Sequence, residues 1–147
     1  MEQFEKLYLY KRIVQAKLFI DHHYAEKIDL DNISDQACFS KFHFIRLFKT
    51  LYGRTPHNYL LKIRIERSKL LLSQGHCVFD VSQMSGFDSP TSFTAAFKKA
   101  TGQAPSVFKE RERVRQQDIR NNPFFVVPNC FAETHGWTKS QFLRDDV

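Results

Sequence analysis

One short segment, residues 40–51, carries basic and large apolar side chains at helical spacing. Phe42, Ile45, Arg46 and Lys49 stand at i, i+3, i+4 and i+7, which places them on one face of a helix. If that face is exposed, arginine can bond to O6 and N7 of guanine, and apolar side chains can pack on thymine methyl groups. The alternative is that Phe42 and Ile45 simply widen the buried face of the helix.

A second stripe of the same segment is wholly apolar, which predicts the core face of the helix. It consists of Phe44, Leu47, Phe48 and Leu51. Because the core takes this stripe, we expect the face that carries Arg46 to point elsewhere. Ser40, Lys41 and Lys49 then stand where phosphate groups would flank the helix.

The pattern recurs 49 residues later. The equivalent pairs are Phe44 and Phe93, Phe48 and Phe97, Lys49 and Lys98, Gly53 and Gly102, Pro56 and Pro105, and Tyr59 and Phe108. The segments before them align at 48, with Ile33 and Cys38 matching Val81 and Gly86, so the second turn holds one more residue. Such self-similarity predicts one supersecondary unit built twice. A short helix, a tight turn and a longer basic helix are typical of a helix-turn-helix.

The two copies differ on the face opposite the core. In the second copy that face holds Thr91, Thr94, Ala95 and Lys98, and the predicted core face holds Phe93, Ala96, Phe97 and Ala100. Ala95 stands where the first copy has Arg46, and an alanine cannot recognise guanine. We therefore expect the first unit to carry more of the direct base readout and the second more of the backbone anchoring.

Local signals predict the helices. Apolar spacing indicates a helix over 10–24 and a shorter one that ends near Cys38; Ser40 is a candidate N-cap and Gly53 a C-terminal stop. Pro56 and Gly75 bound a helix over 57–73, about 25 Å long at 1.5 Å per residue. The expected parts are residues 1–55 (first helix-turn-helix), 56–75 (linker helix), 76–117 (second helix-turn-helix) and 118–147 (C-terminal extension).

Composition narrows the function classes. A chain of 147 residues leaves no room for a separate catalytic domain, so we expect no enzyme activity. The net charge is +6, and residues 40–69 hold eight basic side chains against one acidic one, which suggests a surface aimed at a polyanion. With three widely spaced cysteines and no apolar segment near 20 residues, we expect a reducing cytoplasm and no membrane contact.

Histidine and cysteine residues offer alternatives that the spacing disfavours. His22 and His23, or His76 beside Cys77, lack the i, i+3 or i+4 partners that a metal ion needs, so we expect surface histidines and no metal or cofactor. Cys38 and Cys77 with His43 could pair a nucleophile with a base, but no oxyanion-stabilising loop is evident. We expect both cysteines to be core or near-core thiols.

Two segments resemble the halves of the DNA-binding domain of AraC/XylS-type bacterial transcription regulators. They are "SKFHFIRLFKTLYGRTPHNYLLKIRIERSKLLL" and "VSQMSGFDSPTSFTAAFKKATGQAPSVFKE", within a resemblance that covers about residues 10–113. In the most specific part, the family's positions are matched by Gly86, Phe87, Phe93, Phe97, Lys98, Gly102 and Pro105. The departures are Ser34 and Ser82 where alanine is usual, and Cys38 where the first turn usually has glycine.

The resemblance implies an all-α domain of seven helices, in which two helix-turn-helix units read one face of double-stranded DNA. It implies base reading by Phe42, Ile45, Arg46, Pro90, Thr91, Thr94 and Ala95. It implies phosphate contacts by Ser40, Lys41, Lys49, Ser89, Lys98 and Ser106. Ala95 and Pro90 are poor polar readers, which again favours the first unit as the specific one.

The function expected from residues and resemblance is a sequence-specific transcription regulator in the bacterial cytoplasm, bound to the nucleoid. RNA polymerase is the expected protein partner, and no small-molecule effector domain is apparent. An architectural or non-specific nucleic-acid binder and a protein-interaction module stay open as alternatives. In the extension, Phe124, Phe125 and Trp137 could form a docking or self-association patch.

Overall fold

The computed structural model describes residues 2–28, 40–122 and 134–136, and the side chains of residues 2–6 are left aside. The chain divides into two compact units, Met1–Lys109 and Glu110–Val147. Across the described residues we find six helices: α1 (Glu2–His23), α2 (Lys41–Tyr52), α3 (Pro56–Ser73), α4 (Val78–Met84), α5 (Pro90–Thr101) and α6 (Pro105–Asn121). The all-α prediction is confirmed. The expected helix that ends near Cys38 lies outside the described residues.

Helix α1 begins earlier than the predicted start at residue 10. Residues 2–9 contain no glycine or proline, so nothing local stops the helix before Glu2. Its buried stripe is Ile13, Ala16 and Ile20, whereas the apolar residues Val14 and Leu18 are 43% and 45% exposed. Both stand about a third of a turn or more from the buried stripe, on the flank of the helix.

Helices α2 and α5 repeat the same local geometry. Each has 12 residues and ends at a glycine in the left-handed region, Gly53 at φ 70° and Gly102 at φ 79°, whose N–H bonds the carbonyl of the lysine four residues before. In each helix two phenylalanines are fully buried, and their ring centroids lie 5.6 Å apart. The prediction of one unit built twice is confirmed for this helix.

Helix α3 takes part in both hydrophobic cores of the first compact unit. Thr55 caps it by accepting a hydrogen bond from the Asn58 N–H, and Pro56 takes the first position. The first core contains Ile13, Ala16, Ile20, Phe44, Phe48 and Leu60. The second contains Ile65, Leu72, Val81, Phe93 and Phe97. The linker helix is therefore part of the hydrophobic packing of both halves.

Three residues expected in or near the core are exposed. Leu51, at the end of α2, is 41% exposed, and Ala100 is exposed at the matching position of α5. Cys77 is also exposed, so its prediction as a core or near-core thiol is wrong. Its sulfur caps α4 by accepting from the Asp80 N–H at 3.4 Å. Cys38 lies outside the described residues.

Candidate nucleic-acid interface

The face of α2 that carries Arg46 is largely exposed to solvent. Phe42 is 82% exposed, and Arg46 and Lys49 are exposed as well. Ile45 is half-buried, so it contributes to the edge of the core and to the outer face together. Within the described residues, no hydrogen bond or ion pair engages the Arg46 guanidinium or the Lys49 ammonium. The interpretation in which Phe42 only widens the buried face is wrong.

The N-termini of α2 and α5 differ in how their caps are formed. Ser89 caps α5 through a reciprocal pair: its hydroxyl accepts from the Ser92 N–H at 3.1 Å, and the Ser92 hydroxyl bonds the Ser89 N–H at 3.3 Å. Ser40 holds the N-cap position of α2 but makes no side-chain cap bond. The two copies therefore differ at this serine, whose hydroxyl is committed to a cap only in α5.

The matching face of α5 is exposed but presents smaller side chains. Thr91, Ala95 and Lys98 are exposed, and Pro90 and Thr94 are half-buried. Ser106, in the first turn of α6, is exposed too. All of the predicted site residues lie in the described part of the chain. They stand at the N-caps of α2 and α5, on the outer faces of these two helices, or in the first turn of α6. Ser89 alone among the serines of the set has its hydroxyl committed to a cap.

The basic residues of segment 40–69 do not all face solvent. The Arg64 side chain turns inward and donates hydrogen bonds to two backbone carbonyls. Burial lowers the pKa of Arg64, and the charge of Asp88 opposes that change. Its role was missed because its partners stand about 40 positions away in the sequence, beyond the range of any helical period.

An open cleft of about 570 Å³ lies where α3 passes the end of α2 and the side of α5. Its charged lining consists of Arg54, Lys62, Glu66, Lys69 and Lys99. Lys69 pairs with Glu66 at 2.9 Å, which leaves three basic side chains without a described ion-pair partner. The cleft therefore adds positive potential between the two candidate reading helices.

Other chemistry has no comparable site in the described residues. No group of three His, Cys, Asp or Glu side chains there is close enough to hold a metal ion. Among the same residues, no helix combines the length and the apolar character that crossing a membrane requires. The described residues do contain a short helix, α4, that is joined by a tight turn to a longer helix, α5. The longer helix has a counterpart of the same geometry in α2.

These features define the class as a helix-turn-helix protein in which the second helix of the unit occurs twice. The family model described as "Helix-turn-helix domain" matches residues 33–111. The chain is 34% identical over 99 residues to the MmsAB operon regulatory protein of Pseudomonas aeruginosa, covering 67% of this chain and 32% of that protein. It is 36% identical over 86 residues to the probable transcription factor PqrA of Proteus vulgaris, covering 58% of this chain and 70% of that protein.

The fold is also that of a solved domain. The DNA-binding domain of AdpA, a global transcriptional factor crystallised in complex with a target DNA, superposes with a TM-score of 0.69 at 24% identity, covering 71% of this chain and 96% of that domain. The chain belongs to the AraC-type helix-turn-helix family of transcription regulators, which is not an enzyme family. It spans roughly a third of the length of the first curated relatives that it matches.

Proposed function

We propose that this chain binds double-stranded DNA in a sequence-specific manner and regulates transcription by inserting α2 and α5, with their caps (about 40–51 and 89–100), into successive major grooves. The observation that carries the proposal is the exposed pair Phe42 and Arg46 on a helix whose opposite face is buried. A large apolar side chain in water beside a guanidinium without a described partner fits a helix that completes its contacts in a DNA groove.

In α2, Arg46 is the proposed reader of guanine through two hydrogen bonds, to O6 and N7. Phe42 and the exposed part of Ile45 pack on thymine methyl groups next to it. Ser40, Lys41 and Lys49 hold the flanking phosphates, and the Ser40 hydroxyl makes no cap bond that would compete with this contact. This unit therefore supplies most of the base discrimination.

In α5, Thr91 and Thr94 offer hydroxyl or methyl contacts, while Pro90 and Ala95 offer only apolar surface. Ser89, Lys98 and Ser106 are the proposed phosphate contacts of this half. Because the Ser89 hydroxyl caps α5 and the Ser89 N–H bonds the Ser92 hydroxyl, the N-terminus of the helix is better placed than the Ser89 side chain to meet a phosphate. The second unit thus contributes anchoring and tolerates more than one base sequence.

The regulatory role is supported by the curated relatives, among them the operon regulatory protein of Pseudomonas aeruginosa. Regulation proceeds through recruitment or exclusion of RNA polymerase at a promoter, in the bacterial cytoplasm. The working division of the chain is a first reading unit over 1–55, a linker helix over 56–75, a second reading unit over 76–117 and an extension over 118–147. No catalytic step and no cofactor enter this mechanism.

Selection of binding sites from random double-stranded DNA, at about 0.15 M salt, tests the proposal. We expect a bipartite site with one well-defined half that contains a guanine and one degenerate half, the centres lying about 34 Å apart. Salt-dependent binding without enrichment of any sequence would instead favour an architectural binder. The absence of any salt-dependent DNA binding would favour a protein-interaction module.

A further inference from the structure

The Arg64 side chain, in the middle of α3, contacts both halves of the first compact unit. Its Nε donates to the Tyr24 carbonyl at 2.8 Å, and its Nη2 donates to the Glu26 carbonyl at 2.9 Å. Tyr24 and Glu26 belong to the turn that follows α1. The same guanidinium lies over the ring of Phe87, 5.8 Å from its centroid, in the loop that precedes α5. One side chain therefore connects the first half with the second.

The backbone of the two halves also meets directly, at Gly86. This residue adopts φ +77°, and a Cβ atom built there would lie 2.8 Å from the carbonyl oxygens of Tyr24 and Ala25. Those neighbours are backbone atoms, which cannot rotate away as a side chain could. The turn between α4 and α5 is thus pressed against the turn after α1, and only glycine fits. In the sequence repeat, the aligned position of the first copy holds Cys38.

Further contacts hold the same turn in place. The hydroxyls of Ser68 in α3 and Ser85, next to Gly86, form a fully buried hydrogen bond of 2.8 Å. Lys27 and Asp88 form an exposed ion pair of 3.4 Å across the two halves, which contributes little because water screens it. The two halves are therefore joined by direct contacts in addition to the helix that they share.

Helix α3 is one connection between the two reading units, because each unit packs on it through its own core. The contact of Arg64 and Gly86 with the turn after α1 adds a second point of attachment, and two points restrict rotation of one unit about the helix. We infer that Arg64 and Gly86 are positioning residues that set the orientation of α5 relative to α2, and with it the spacing of the two DNA half-sites. This inference rests on the proposed function.

A spacer series tests the inference. The full chain and its variants are titrated with the selected bipartite site, with the same site lengthened or shortened by one base pair, and with the well-defined half alone. One added base pair moves the second half-site by about 3.4 Å and turns it by about 35°. For the wild-type chain we expect the affinity to fall by about tenfold or more with either change.

The informative variants are Arg64→Lys and Gly86→Ala. Lysine keeps the charge but lacks the planar fork that bonds two carbonyls at once. We expect each variant to bind the optimal site about tenfold more weakly, to prefer it over the altered spacers by less than about threefold, and to bind the half-site as the wild type does. A half-site affinity that also falls tenfold would contradict a pure positioning role.

Gly102→Ala is the matched control. Gly102 has nearly the same φ, +79°, but a Cβ there meets nothing within 4 Å. Both alanine variants place a Cβ on a residue with nearly the same positive φ, so the contact with the turn after α1 is the main difference between them. We expect Gly102→Ala to keep the wild-type spacer preference. If Gly86→Ala does not fold, Arg64→Lys alone decides, and an unchanged spacer preference in that variant overturns the inference.

A second measurement separates this inference from the proposed function, because it needs no DNA. Spin labels carried by unnatural amino acids at Thr50 and Lys99, both exposed, report the distance between α2 and α5. We expect a narrow distance distribution in the wild type and a broader one in Arg64→Lys. The same distribution in both proteins overturns the inference. If the two distributions differ as expected but the wild type binds no DNA, only the proposed function is overturned.

Discussion

Arg46 in α2 and Ala95 in α5 occupy the same position in the two copies of the repeated unit, and both side chains are exposed. Behind them, Phe44 and Phe48 in one helix, and their two counterparts in the other, are fully buried at the same ring separation of 5.6 Å. The buried face of the helix is thus common to both copies. What differs is the chemistry that each helix presents: a guanidinium in the first and a methyl group in the second.

Removing the guanidinium tests base reading directly. Arg46→Ala should weaken binding to the selected site by about 1 to 3 kcal/mol and relax the preference for guanine at one position. The measurement is fluorescence anisotropy with the selected site and each of its single-base variants at fixed salt. Stability should change by less than about 0.5 kcal/mol, because the side chain is exposed.

Lys49→Ala is the control on the same face of α2. Because a lysine that holds a phosphate carries no sequence information, this change should weaken binding to all sequences alike and lower the slope of log affinity against log salt by about one. If Arg46→Ala also weakens binding to every DNA sequence by the same amount, Arg46 reads no base.

Adding a guanidinium to the second copy gives the complementary prediction. Ala95→Arg places an exposed arginine at the position that matches Arg46, so the second half-site should acquire a preference for guanine at one position, of about 1 to 3 kcal/mol. Site selection with the variant measures this. A second half-site as degenerate as that of the wild type would show that α5 does not enter the groove in the manner of α2.

The elements that sequence reasoning predicted best are those with local end signals. Thr55 and Pro56 start α3, and Gly53 ends α2 through its left-handed conformation, so the helix expected over 57–73 is found at Pro56–Ser73. These signals depend on a few neighbouring residues. The paired phenylalanines were equally readable, because large apolar residues at helical spacing pack in any helical core.

Sequence reasoning failed where the answer depends on what packs against a helix. Leu51 and Val14 have the right residue type and spacing for burial, but no element in the described part of the chain covers them, and periodicity carries no information about that. Ala16 was missed because a small residue gives a weak apolar signal, although the close approach of helices favours it. Arg64 was counted only as a surface charge, since its carbonyl partners come from a distant turn.

A small polar cluster makes the stability of the first core sensitive to alkaline pH. The Asp21 carboxylate accepts hydrogen bonds from Lys17 at 2.6 Å and from the Tyr59 hydroxyl at 2.9 Å. The hydrogen bond with Asp21 raises the pKa of Lys17, and burial followed by the Asp21 bond raises the pKa of Tyr59. In both groups folding favours the protonated form, so the stability they contribute is complete below their ordinary pKa values of 10.5 and 10.0 and is lost above them.

We therefore expect the free energy of unfolding to fall as the pH rises through about 10 to 11. Urea unfolding at a series of pH values measures this. Burial also raises the pKa of Tyr52, which packs against the same core, so it contributes to the decline too. Tyr59→Phe should flatten the decline, because it removes one of these titrating protons, and should cost about 1 kcal/mol at neutral pH. The equivalent residue of the second copy is Phe108, which has no hydroxyl to titrate. A variant of Phe108 therefore serves as the control, because it should leave the pH slope unchanged. If the free energy of unfolding has the same pH slope with and without the Tyr59 hydroxyl, Tyr59 does not contribute to the alkaline decline.

The sharing of α3 by two cores predicts that α2 and α5 lose their structure together. Phe48→Leu should destabilise the first core by about 1 to 2 kcal/mol, less than the 3 to 5 expected for alanine. Because Leu60 and Ile65 lie on one helix, the amides of α5 should lose about as much protection from native-state hydrogen exchange as those of α2. Loss confined to α2 would show that the two halves open independently.

The separation of buried and outer faces in α2 and α5 has a consequence for how binding preference can change. Substitutions at Phe42, Arg46, Thr91 or Ala95 remove few contacts in the free protein, so they carry little thermodynamic penalty, whereas Phe44, Phe48, Phe93 and Phe97 tolerate almost none. Under the proposed function, a lineage can therefore exchange one operator for another by single steps at these outer positions, without passing through unfolded intermediates.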